Sequence, residues 1–162
     1  MKLVSEKSFT LLSSFELKVE IPSTIEEFHK KEGDKFSFFH PELKNGNVKS
    51  EQVSLEGKVL NYRLLGIVHP MSFEDYVAYL NTTDHIFLGT QAILLAWKHR
   101  EQFPQEKWIV SPDQKSRLYK DAEGNYRIPR IRKFTSNSFS FGLLHIQDVL
   151  GNDSCLMHVT YK

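Results

Sequence analysis

The chain has 162 residues, 40% of them hydrophobic, 25% charged and 12% aromatic, with a formal net charge of +1. That length and composition suit one globular domain spanning 1–162 with a sizeable core, and exclude a disordered chain. Near-neutrality supplies no overall field to recruit nucleic acid or a membrane, and the single cysteine, Cys155, excludes an intramolecular disulfide.

Residues 9–21 end with Phe15, Leu17, Val19 and Ile21 alternating against Glu16, Lys18 and Glu20, which predicts a strand with one wet face. Pro22 stops it. Ser23, with Glu26 three residues on, reads as a capping box opening a helix that Gly33 closes, with Ile25 and Phe28 on its apolar face. Asn45-Gly46 is a turn signal. Glu56-Gly57 separates two β-rich runs within 52–69 and predicts a hairpin with a long, apolar second arm placed centrally in a sheet.

Ser72 and Asp75 form a second capping box before an amphipathic helix through Leu80. Residues 86–97, IFLGTQAILLAW, are apolar almost all the way round a helix. A helix of that kind is buried on most faces, and it is expected over about 84–103 with Thr83 or Asp84 as its cap. Gly89 inside it costs about 1 kcal/mol against Ala, which close packing on a sheet would explain. The run falls short of the roughly 20 apolar residues needed to cross a bilayer, so no membrane is implied. The N-terminal MKLVSEKSF carries no apolar run of signal-peptide length, and a soluble, cytoplasmic protein is the expectation.

After Pro104 the pattern is strand-like: KWIVS, SRLYK, NYRIPRIRKF, SFSFGLLHI and SCLMHVTYK, with turns at 123–125 and 151–153. The expected fold is therefore α+β, a mostly antiparallel sheet with about three helices packed on one side, one of them largely buried. Cys155, in an alternating apolar strand, reads as a buried structural thiol.

Motifs for chemistry are missing. The seven histidines form neither H-x-H nor HExxH, there is no G-x-S-x-G elbow, and no glycine pattern cradles a phosphate. No catalytic residue, metal or cofactor is assigned. A hydrolase or transferase would need a dispersed site around His69, His85 or His145.

One charge asymmetry stands out. Between Lys98 and Lys133, ten Lys or Arg face five acids, a local net of +5 against −4 for the remainder. Lys120, Arg127, Arg130, Arg132 and Lys133 are the candidate binding residues. On a strand, Arg130 and Arg132 share a face with Tyr126, Ile128 and Phe134, the mix of guanidinium and ring that single-stranded nucleic acid exploits. The plainer reading is a solvated sheet edge, where charges deter aggregation and Pro129 lacks no needed donor.

The order IPSTIEEFHKKEG, then YRLLGI, then a helix leading into FPQEKWIVSPD and a turn at EGNY resembles the SMI1/KNR4 superfamily. Its members often show a proline-opened helix before a glycine, then strands, then a proline followed by apolar strands. The resemblance implies an α+β binding protein, often an immunity protein for a secreted toxin. The first and last strands lie outside it, and no residue role is carried over. The leading expectation is a non-catalytic interaction module with a protein partner or a second copy of itself; the alternatives are nucleic-acid or polyanion binding through the basic hairpin 115–133, an immunity-type binding protein, and a small hydrolase with a dispersed site.

Overall fold

A computed structural model describes residues 4–20, 24–44, 48 and 54–162. The strands are β1 (Phe9–Lys18), β2 (Phe36–Phe39), β3 (Val59–Ile67), β4 (Trp108–Val110), β5 (Tyr119–Lys120), β6 (Tyr126–Thr135), β7 (Ser138–His145) and β8 (Ser154–Tyr161). The helices are α1 (Ile25–Glu32), α2 (Pro41–Lys44), α3 (Phe73–Leu80) and α4 (Thr90–Ala96). The strands make one mixed, mostly antiparallel sheet in the order β1-β3-β8-β4-β6-β7-β2, with β5 added to β6. Among the strands of the described residues, β4–β8 and β2–β7 are the pairs that run parallel.

Alternation along the strands builds two apolar faces. Leu60, Tyr62 and Leu64 of β3, Cys155, Met157 and Val159 of β8, Ile131 of β6, and Phe139, Phe141 and Leu143 of β7 point to the first face. α1, α2 and α4 cover it. Rings concentrate there: Trp97 lies 5.3 Å from Phe28, 5.1 Å from Phe36 and 4.7 Å from Phe139. Leu65, Ile67, Val110, Ile128, Leu144 and Leu156 point the other way and meet Phe73, Tyr76 and Leu80 of α3. Three helices thus share one side as expected, but the layer includes the short α2, while α3 sits on the opposite face. Cys155 is fully buried, and burial pushes its thiol up to about 12.

Several boundaries differ from the sequence reading for identifiable reasons. The cap of α1 is Thr24, whose Oγ1 accepts from the Glu27 N–H at 3.2 Å; Ser23 lies outside the described residues. Gly33 keeps a right-handed φ of −57° and leads into a 3-10 turn instead of a left-handed stop. The Ser72–Asp75 box forms as expected, each side chain bonding the other's backbone N–H at 3.3 Å. Strand β2 and helix α2 carried no recognised signal. The Asn45-Gly46 turn lies outside the described residues.

The buried helix begins six residues later than expected. Residues 85–88 are extended because the Ile86 N–H donates to the Val159 carbonyl at 2.8 Å, tying the segment to the end of β8. Gly89 then takes φ +55°, outside the helical region, so the helix starts only at Thr90, and neither Thr83 nor Asp84 caps it. A Cβ at Gly89 would stand 2.9 Å from Asp113 Oδ2, and its carbonyl accepts from Ser111 Oγ at 2.6 Å. Close approach is the reason for this glycine. At the other end His99 leaves helical geometry, and Trp97–Gln102 form a 3-10 segment.

The 52–69 hairpin is also corrected. Lys58 and Gly57 bond to Val19, and β3 pairs with β1 on one side and β8 on the other. Residues 54 and 55 are not a strand, and 51–53 lie outside the described residues. β3 is nonetheless interior, as its long apolar run requires.

β6 is not an edge strand. It lies between β4 and β7, with Arg132 opposite both Trp108 and Ser140. Pro129 is tolerated because it sits just beyond the last β4–β6 pair, Val110–Arg130. Its carbonyl accepts from the Ser111 N–H at 3.1 Å, so the missing donor falls where β4 has already ended.

Candidate functional site

Of the five cationic residues singled out by sequence, the fold brings two together. Arg130 and Arg132 project from the second face of β6. Register places Ser154, Trp108, Arg132, Ser140 and Phe38 in one row across β8, β4, β6, β7 and β2. Leu156, Val110, Arg130 and Gly142 form the next row. Beyond that row α3 and its neighbours cover the sheet; on the near side the face is a shelf of arginine, indole and small residues.

Trp108 is the platform. The Arg130 guanidinium carbon lies 3.9 Å from the indole centroid and that of Arg132 lies 5.6 Å from it. Arg132 is also 5.2 Å from the Phe134 ring. Ser140 and Gly142 keep the surface beside them low, and a Cβ at Gly142 would only touch Arg130 Nε at 3.9 Å. Phe38, 49% exposed, borders the shelf.

Neither arginine makes an ion pair or a side-chain hydrogen bond among the described residues, and the Nε atoms of both are buried without an acceptor. Burial is the larger influence on Arg130 and lowers its pKa, with Arg132 acting in the same direction; Asp148 and Asp153 oppose both. An arginine stays charged in any case. Stacking on an indole leaves the guanidinium edge free, and that edge matches carboxylate or phosphate bidentately.

The other three candidates are elsewhere. Arg127 Nε donates to Asp121 Oδ2 at 2.9 Å, and the Asn125 N–H together with Arg127 holds that carboxyl below its usual range. Lys120 stands 5.6 Å over the Tyr126 ring, which Lys115 shares at 5.1 Å. Lys133 has the opposite parity from Arg132 and donates to the Arg100 carbonyl at 3.3 Å. Trp108, the residue that organises the shelf, was not singled out. Its alternation with Val110 was legible in KWIVS, but only strand order places it against β6.

Of the histidines on which a dispersed catalytic site would rest, His85 and His145 accept backbone N–H bonds, while His69 Nε2 is buried without a hydrogen-bond partner among the described residues. His85 Nδ1 accepts from the Val159 N–H at 3.1 Å, so its proton is on Nε2, which is buried. Burial, then His158, lowers the pKa of His85 to about 3. Thr83 Oγ1 and His158 Nε2 are 3.2 Å apart and look like a nucleophile–base pair. The Thr83 hydroxyl, however, donates to the Leu80 carbonyl at 2.7 Å, so the imidazole must donate to it and does not activate it. His145 Nδ1 accepts from the Gln147 N–H and closes a turn. Among the described residues no three His, Cys, Asp or Glu side chains are grouped to hold a metal, and no helix is long and apolar enough to cross a membrane.

Comparison with protein-family models, with curated proteins and with solved structures finds no match to this chain. The fold and the shelf define its class: an α+β protein built on one mostly antiparallel sheet, with an unpaired arginine–tryptophan cluster on an open part of one face.

Proposed function

We propose that the protein is a non-catalytic interaction module and that the Trp108–Arg130–Arg132 shelf is its binding face. One observation carries this reading: two partly buried guanidinium groups, stacked on one indole, have no acceptor among the described residues. Leaving a buried donor unpaired costs about 1–3 kcal/mol. A bound anionic group would relieve that cost and gain charge-assisted bonds.

The reading is tested by recovery of partners from native extract with tagged protein and with the Arg130→Gln/Arg132→Gln double variant, each with and without nuclease. A stoichiometric partner present with the parent chain, indifferent to nuclease and lost with the variant, is the expected outcome. Equal recovery by the variant, shown to be folded by its urea midpoint, overturns the assignment.

A further inference from the structure

Resting on the shelf as the binding face, the chemistry of its occupant can be narrowed. Arg130 and Arg132 stand two residues apart on one strand, a repeat of about 7 Å that alternate side chains of any extended peptide share. Both carry a donor without an acceptor among the described residues, and their guanidinium carbons lie 3.9 and 5.6 Å from the Trp108 ring centroid. The row of Arg132 ends, two strands away, in exposed Phe38. A partner strand laid along β6 would therefore meet two guanidinium edges in register.

A phosphate polymer needs more than this. Its backbone is followed by a continuous track of cations, each releasing counterions on contact. Here the track is broken: Arg127 is neutralised by Asp121, Lys120 stands by Tyr126 beside the short β5, and Lys133 has the opposite parity. The acids Asp148 and Asp153 act on Arg130 from close by, which penalises a densely charged chain more than two carboxylates. The net charge of +1 adds no long-range attraction.

We infer that the shelf takes an extended acidic segment of a protein partner running along β6, with carboxylates on alternate residues paired to Arg130 and Arg132. The inference is tested by titrating the purified full chain with a short peptide carrying glutamate at alternate positions, its glutamine counterpart, and oligo-dT. The expected result is binding of the glutamate peptide alone, weakened at least about tenfold by Arg130→Gln or Arg132→Gln and unchanged by Lys120→Gln. Arginine-dependent binding of oligo-dT in preference to the peptide overturns the acidic-segment inference and leaves the shelf as the binding face. Equal affinity for the glutamate and glutamine peptides overturns it as well. Because Arg→Gln at a partly buried site can disturb packing, each variant's urea midpoint is measured beside the titration and should stay at the parent value. The binding face itself falls only if partner recovery from extract survives the double arginine variant.

Discussion

The molecule contains two arginine–tryptophan stacks, and they use the same residues for opposite ends. Arg100 lies 4.6 Å over Trp97, which is 5% exposed and wedged among Phe28, Phe36 and Phe139. Its guanidinium donates back to the Trp97 carbonyl at 3.2 Å, tying the cation to the backbone that carries the ring. Arg130 lies closer to Trp108, at 3.9 Å, yet neither it nor Arg132 bonds to anything among the described residues. The first stack finishes a helix end over the core. The second lies on an uncovered part of a sheet face; the buried Trp97 Nε1 also lacks an acceptor among the described residues, so what separates the stacks is the exposure of the second.

The largest expected effect separates the two faces. Phe141→Ala, at the centre of the ring network, should cost about 3–5 kcal/mol in urea denaturation. Trp108→Ala should cost about 1 kcal/mol, since its ring is partly in solvent. Equal costs would make the shelf an extension of the core. Next in size is Gly89→Ala, which places a Cβ 2.9 Å from Asp113 Oδ2 at φ +55° and should cost about 1–3 kcal/mol by the same measurement. A neutral result would show that the approach of Asp113 to α4 is not tight.

Acid provides a third contrast, between buried histidines that can change charge and arginines that stay charged. His85 titrates near 3 when folded and near 6.5 when unfolded, so the unfolded chain binds more protons between those values. Its contribution to stability is complete above pH 6.5 and is lost progressively as pH falls toward 3, with a slope of up to about 1.4 kcal/mol per pH unit. His158, whose pKa burial also lowers, acts in the same direction; Arg63 adds to its effect and Asp84 opposes it. Urea midpoints measured from pH 7 to 5 should fall, and His85→Gln should flatten the slope. A midpoint independent of pH over that range would contradict the buried assignment of His85. The smallest effect compares the stacks directly. Arg100→Gln loses a made bond and should destabilise by about 1 kcal/mol, whereas Arg130→Gln removes an unsatisfied donor and should leave stability within about 0.5 kcal/mol.

Much of the fold was legible because period-two alternation survives in β1, β6, β7 and β8, and because a reciprocal cap marks α3 locally. What escaped depended on partners distant in sequence. Residues 85–88 look helical by composition, and only their bonds to Val159 and the strained Gly89 make them extended. Pro129 looked like an edge residue because no local rule reveals that β4 ends one position short of it. The same limit applied to the site. Arg130 and Arg132 were recognisable as sharing a face, but Trp108 joins them through a strand pairing that spans more than twenty residues.

The position of β8 has a consequence for how the chain acquires its structure. The pair β1–β3 and the group β4, β6, β7 and β2 touch as neighbours in the sheet only through β8, which enters antiparallel to one and parallel to the other. Until residues 154–161 are synthesised, β3 and β4 each present an unpaired edge, and two half-sheets stand where one will form. Such long-range insertion makes folding slow relative to a protein of local contacts. It also makes a nascent chain truncated before β8 the form most exposed to aggregation.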